Sequence, residues 1–269
     1  MDHSFLLEHE MVLRLGAFAA ALGAMAAWES LAPRRTLREP RVRRWRTNLG
    51  VALCNVLLLR VALPTTAIGM AELAAGRGWG LLNYLESGGW LVVVFAVVAL
   101  DLVLYLQHAL FHAVPVLMRL HAVHHADPDF DATTGIRFHP FEILLSMLVK
   151  YAAIVALGAP ALAVLLFELL LSLSSLFSHG NVRLPEAVDG WLRRALVTPD
   201  MHRIHHSVIE AERNSNYGFC LSVWDHAFGS YRAAPAGGQT GMRIGLDSHR
   251  DARVSTTFSG ILAIPFRPS

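Results

Sequence analysis

Charge is scarce in this sequence. Aspartate, glutamate, lysine and arginine make up 16% of 269 residues, against about a quarter in an ordinary soluble domain. With 54% hydrophobic residues and a mean hydropathy of +0.42, that deficit points to lipid as the solvent. The net charge is only +2 and no basic stripe alternates with aromatics, so no nucleic-acid partner is expected. Cysteine is nearly absent. Cys54 lies in an apolar run and Cys220 in the polar C-terminal third, with no CxxC, which excludes a disulfide framework and a thiolate metal site. A GxGxxG fingerprint for flavin or nicotinamide is missing too, as are internal repeats and low-complexity segments.

Long apolar runs, by contrast, are plentiful. A membrane helix needs roughly 20 mostly apolar residues. Candidates cover residues 11–29, 49–71 and 90–108, the second containing Pro64, which a membrane helix tolerates. The stretch 141–178 would reach about 57 Å as one helix, nearly twice the hydrocarbon thickness. Gly158-Ala159-Pro160 stands at its middle, so it is expected to be two helices joined by a tight break. The fold class is therefore all-α: a polytopic membrane bundle of about four spans, the last a helical hairpin, with a histidine-rich helical cap. Residues 1–89 form an N-terminal two-span region with a basic loop, and residues 90–269 a second part that holds the histidine clusters.

Arginine sets the orientation. Arg34, Arg35, Arg38, Arg41, Arg43, Arg44 and Arg46 lie between the first two spans, opposed only by Glu39. The positive-inside rule makes that loop cytoplasmic, so the N-terminus is outside and every histidine cluster is on the cytoplasmic side. A cleaved signal peptide is not expected at residues 11–29, because the preceding flank is acidic and cleavage would leave the arginines on the far side. The apolar tail 261–266 is expected at the membrane interface.

Histidine carries the chemistry. There are 14, and most fall into His108-x-x-x-His112, His121-x-x-His124-His125 and His202-x-x-His205-His206, with His179 alone after the hairpin. Spacings of three and four share a helical face. One tetrahedral zinc uses about four ligands, so nine imidazoles exceed one metal and fit two. Imidazole suits iron, zinc, copper or nickel. His3, His9 and His249 fit no cluster and read as solvated; His226 is left undecided. His139 reads as a supporting or structural residue, with ligation open. Asp101, Tyr105, His108 and His112 form one stripe, so Asp101 is expected either to accept a hydrogen bond from a ligand histidine or to pair with Arg60. Glu168, before His179, is assigned a similar supporting part.

These motifs resemble the fatty acid hydroxylase superfamily, which includes sterol desaturases, C4-methylsterol oxidases and alkylglycerol monooxygenase. The likeness extends to Thr198-Pro199-Asp200-Met201-His202-Arg203-Ile204-His205-His206-Ser207, to Asn216-Tyr217-Gly218, to Trp224-Asp225, to Phe228-Gly229-Ser230-Tyr231 and to Pro265-Phe266-Arg267, in the style of the bacterial branch. It covers roughly residues 90–269. His226 departs from the pattern, where a basic residue is expected after Trp224-Asp225. The resemblance implies two irons held by histidines alone (zinc can replace them on purification), O₂ as co-substrate, and hydroxylation or desaturation of a lipid in a bacterial inner membrane. It further implies Arg203, Asn216, Trp224 and Asp225 as supports of the site. Lacking a nucleotide fingerprint, the chain would take electrons from a separate reductase, ferredoxin or cytochrome-type donor. The rival readings have their own requirements. A zinc hydrolase calls for a carboxylate base as in HExxH, and none occurs; a metal transporter would place its histidines near mid-bilayer; an inactive metal-binding member of the fold would keep the same motifs.

Overall fold

The protein is represented by a computed structural model that describes residues 3–85 and 88–267, with side chains from residue 5 onward. Regular structure among these residues is helical, with isolated bridges and no strand. Five segments, Glu10–Leu31, Arg41–Tyr84, Trp90–Ala113, Pro140–Leu157 and Ala161–Ser178, are long and apolar enough to cross a membrane.

The breaks between helices follow from proline and glycine. Helix α1 spans Glu10–Leu31 and α2 spans Arg41–Ala62. Where one helix was expected through Pro64, α2 stops: Leu63 is extended (φ −112°, ψ 140°), as a residue before proline must be. A new helix, α3 (Ala67–Gly76), starts under a Thr66 side-chain cap that accepts from Gly69 N. Helix α4 (Trp90–Ala113) ends the same way, at an extended Val114. Pro115 then opens α5 (Pro115–His125) from its first turn, where the missing N–H costs nothing. The expected hairpin is present as α6 (Pro140–Leu157) and α7 (Ala161–Ser178). Gly158 caps α6 at φ +68°, and a Cβ there would lie 3.0 Å from Trp79 O, so both conformation and space require glycine.

Ala71, Ala96, Leu100, Ile154, Ala163 and Phe167 tie α3, α4, α6 and α7 into the main apolar core. A second cluster joins Val51 of α2 and Val123 of α5 to Ile261 and Ile264. In the apolar tail Ile261 and Ile264 are thus buried against helices, while Phe266 is exposed.

Helix α2 also carries polar side chains inward. Arg44, fully buried, donates to both carboxylate oxygens of Asp127 at 2.8 Å, to Asp131, and to Thr134 Oγ1 at 3.1 Å. Asn48 donates to Thr133 Oγ1 at 3.0 Å, and Asn55 to Phe138 O at 2.9 Å. Asp129 accepts from the backbone N–H groups of Arg38 and Glu39. The arginine-rich segment thereby clamps residues 127–138, directly after the first HxxHH motif.

Candidate metal centre

The Val114–Pro115 break folds α5 back against α4, so that His108 and His112 meet His121 and His125. Helix α8 (Pro199–His205) brings the third motif in. It starts at Pro199 under a Thr198 cap. His179 follows the last residue of α7. The nine imidazoles form two groups, each with ligand atoms within 4.8 Å of one another: His108, His112, His121, His125 and His205 in one, His124, His179, His202 and His206 in the other.

The helical period explains this partition. Residues four apart are close in angle, and a residue three along lies on the other side of them. His121 and His125 therefore serve the five-histidine group while His124 turns to its neighbour; His202 and His206 serve the four-histidine group while His205 crosses back. Each HH pair straddles the two groups. His125 and His206 stack with centroids 4.6 Å apart where the groups meet.

Hydrogen bonds from outside orient the rings. His108 Nδ1 is 2.7 Å from Tyr217 O, His205 Nδ1 2.7 Å from Ser215 O, and His179 Nδ1 2.8 Å from Ser175 O. His112 Nδ1 lies 3.2 Å from Asn214 Oδ1, and His121 Nδ1 2.6 Å from Glu142 Oε1. A carbonyl only accepts, so Nδ1 donates and the lone pair sits on Nε2, facing inward. His108 Nε2 and His121 Nε2 are 3.0 Å apart, His202 Nε2 and His179 Nε2 also 3.0 Å, and His179 Nε2 and His124 Nε2 3.2 Å. With Glu142 a carboxylate, the first pair is two lone pairs pointing at each other. His205 Nε2 and both nitrogens of His206 are buried without a hydrogen-bond partner. Such orphans are costly in a dry interior, and a cation bound between them removes the cost.

Eight of the nine histidines are buried, His112 only partly. Burial holds the pKa of His121 and of His179 down to about 3 and those of His124, His125, His202, His205 and His206 well below their ordinary value. All stay neutral at pH 7, the state in which imidazole ligates a metal.

Two of the supporting residues, Asp101 and Glu168, are placed differently from expectation. Asp101 reaches neither a histidine nor Arg60. It accepts from Trp224 Nε1 at 2.9 Å and from the N–H groups of Cys220 and Leu221 at 3.3 and 3.2 Å. It stands about two turns, ~10 Å, before His108 on α4, too far along the axis to touch that ring. Glu168 pairs with Lys150 Nζ at 2.8 Å and Arg14 at 2.9 Å, roughly 16 Å along α7 from His179. His139 is not in either histidine group; its Nδ1 caps α6 by accepting from Phe141 N at 3.2 Å. Asp225 accepts from Tyr217 N at 2.7 Å, Gly218 N at 2.9 Å and Ser230 Oγ at 2.6 Å, and so fixes the turn that presents Tyr217 O to His108. Trp224 and Asp101 brace the same turn. Asn216, at φ +54°, donates to Met201 O at 2.9 Å and to Arg232 O at 3.0 Å, tying that turn to α8. Arg203 is fully buried, pairs with Asp200 and donates to Gly180 O at 3.1 Å, one residue past His179.

Outside the centre, His226 is exposed with Nε2 3.2 Å from Arg193 O, and His9 is exposed as expected. His249 is buried, 7% exposed, with Nδ1 2.8 Å from Ser248 Oγ, where a solvated ring was expected; the His3 side chain lies outside the described residues. Cys54 and Cys220 are unpaired. Sequence reasoning missed Glu142, the carboxylate that touches a histidine of the centre.

Residues 93–230, about half of the chain, match the family model "Fatty acid hydroxylase". The ornithine lipid hydroxylase OlsE of Rhizobium tropici is 32% identical over 174 residues, covering 65% of this chain and 50% of that protein. Alkylglycerol monooxygenase of Homo sapiens is 26% identical over 140 residues, 51% of this chain and 30% of the relative. The Caenorhabditis elegans alkylglycerol monooxygenase is 26% identical over 157 residues, 58% and 30% respectively. The chain thus spans half or less of the length of these relatives. No solved structure matches it. The family match takes in the first two histidine motifs, His179 and the third motif, the residues that the fold gathers into one centre, and the chain belongs to the fatty acid hydroxylase family.

Proposed function

We propose that this chain is a membrane-bound lipid hydroxylase whose histidines His108, His112, His121, His125 and His205 hold one iron and His124, His179, His202 and His206 a second. One observation carries the reading: two neutral imidazoles, His108 and His121, aim Nε2 at each other at 3.0 Å inside a buried double set of such rings. Two irons would supply activation of O₂, with zinc able to replace them on purification. The overall conversion is C–H + O₂ + two electrons + two protons to C–OH + H₂O. Desaturation of the same substrate is the variant outcome of the same centre.

The chain's own residues hold the ligands, orient them and exclude water. Outer hydrogen bonds from Tyr217, Ser215, Ser175, Asn214 and Glu142 fix five rings, and burial keeps solvent from the oxidant. An apolar groove of about 290 Å³, lined by Ala99, Val103, Ala153 and Ala156 among others, lies between α4 and α6. The relatives named for an ornithine lipid and for alkylglycerols support a lipid substrate. A zinc hydrolase would need a free carboxylate base; Glu142 is already bound to His121.

In this reading residues 90–269 are the catalytic part and residues 1–89 the two-span part that docks on it. The arginine-rich loop and the centre face the cytoplasm, the N-terminus lies outside a bacterial inner membrane, and electrons come from a separate reductase, ferredoxin or cytochrome-type donor. Elemental analysis of untagged protein purified in mild detergent tests the metal. About two irons per chain, with O₂-dependent lipid oxidation when a reductant is supplied, is the expected result. One metal or none after iron reconstitution would overturn it.

A further inference from the structure

Glu142 is the acid that hydrogen-bonds a histidine of the centre. Its Oε1 is 2.6 Å from His121 Nδ1, with side chains 5% and 2% exposed. Its Oε2 is buried without a hydrogen-bond partner, and among the described residues no lysine or arginine forms an ion pair with it. A buried carboxylate is tolerated only when paired. A cation held by the five-histidine group would lie on the far side of the His121 ring, placed to balance it.

The two histidine groups are unequal in this respect. The five-histidine group has Glu142 together with the acceptors Tyr217 O, Ser215 O and Asn214 Oδ1, and only Nδ1 of His125 has no partner. In the four-histidine group, backbone Ser175 O supports His179, while Nδ1 of His124, of His202 and of His206 has no partner. An anionic acceptor on the outer nitrogen makes an imidazole a stronger electron donor to its metal than a carbonyl does.

We infer that Glu142 is a positioning residue acting through His121, and that it makes the metal at the five-histidine position the more electron-rich and more firmly held of the two. The inference rests on the metal-centre reading above. A plain alternative exists. Glu142 is the third residue of α6, a position from which glutamate can cap its own helix, and a capping role would leave the metals untouched.

The test uses the full iron-loaded chain in detergent, without lipid, and three readouts: iron retained against a chelator, the Mössbauer spectrum of each iron, and the midpoint potential. In Glu142→Leu, which removes acceptor and charge, one iron is expected to leave at about 10–100-fold lower chelator concentration while the other is unchanged. Glu142→Gln keeps an acceptor oxygen but no charge; both irons are expected to stay, with the spectrum of one altered and the midpoint potential moved positive. Variants matching the wild type in all three readouts would overturn the inference and leave a helix cap. Should Glu142→Leu fail to fold, the isosteric Glu142→Gln decides on spectrum and potential alone. Because no readout involves lipid, these effects in a chain that oxidises no lipid would sink the proposed activity and keep the inference. Lipid oxidation by a chain whose Glu142 variants are spectroscopically unaltered would do the reverse.

Discussion

His108, at the end of α4, and His121, on α5, bring their Nε2 atoms to 3.0 Å across the Val114–Pro115 break. Pro115 forces the preceding residue out of helical geometry, and the chain reverses just far enough for the HxxxH motif to face the first HxxHH. Without that break α4 and α5 would run on as one rod, and the two motifs would point to separate stretches of its surface.

Removing a ligand from each group should separate the two metals. His205→Ala is expected to lower iron at the five-histidine position, and His124→Ala at the four-histidine position, each leaving about one iron per chain and no turnover. His226→Ala, altering an exposed ring outside both groups, is expected to change neither. Iron analysis beside a lipid oxidation assay checks all three, and full activity in either ligand variant would refute the metal assignment.

Arg44 holds two buried carboxylates, Asp127 and Asp131. Burial alone would raise the Asp127 pKa, but Arg44 outweighs it and keeps that carboxyl below its ordinary value. Arg44→Met leaves both acids unpaired, a change that costs about 3–5 kcal/mol. Lysine would not restore the fork that meets Asp127 on both oxygens. Thermal unfolding in detergent should show a large drop for Arg44→Met and only partial recovery for Arg44→Lys. A melting temperature equal to the wild type in Arg44→Met would show that the clamp contributes nothing.

How much of this was legible in the sequence varies with the distance over which residues act. The nine histidines, the hairpin at Gly158 and the basic loop are local patterns, and each is present where its spacing puts it. The division of each HH pair between two groups is also implied by the helical period, though it emerges only when three motifs converge. Asp101 shares a stripe with His108 but stands two turns away, and its partners Trp224 and Leu221 arrive from a distant segment. Glu142 meets His121 only because α6 packs beside α5, and no spacing rule announces a contact made through tertiary structure. The arginines read as a topological signal turn out to include Arg44, whose buried partners lie far along the chain.

Acid should weaken the metal-free fold before it denatures the chain outright. His121 and His179 have folded-state pKa values of about 3, against 6.5 for a free ring. Between those values the unfolded chain binds protons that the folded chain refuses, so stability falls as pH drops from 6.5 toward 3. Protons also compete with metal for the same lone pairs, so iron should leave in the upper part of that window. Chemical denaturation and iron retention measured from pH 8 to pH 4 check both. A metal-free stability that rose on acidification would contradict the burial of neutral rings.

Gly135 offers a way to disturb one group without touching a ligand. A Cβ at this position would lie 2.6 Å from Ser175 O, 2.7 Å from Ser175 Oγ and 3.0 Å from His179 Nδ1. Ser175 O and His179 Nδ1 form the hydrogen bond that orients His179, and Ser175 Oγ donates to Gly135 O at 2.8 Å. Gly135→Ala must push Ser175 or the His179 ring aside, at a cost of about 1–3 kcal/mol for overpacking. His179 Nε2 would then turn away from His124 and His202, and the four-histidine group would bind iron more weakly. The five-histidine group is oriented from elsewhere, by Tyr217, Ser215, Asn214 and Glu142, so its iron should stay. Iron stoichiometry under chelator, with one Mössbauer component lost and the other kept, is the expected outcome. Equal loss of both irons would mean that the two groups form one mechanical unit rather than two.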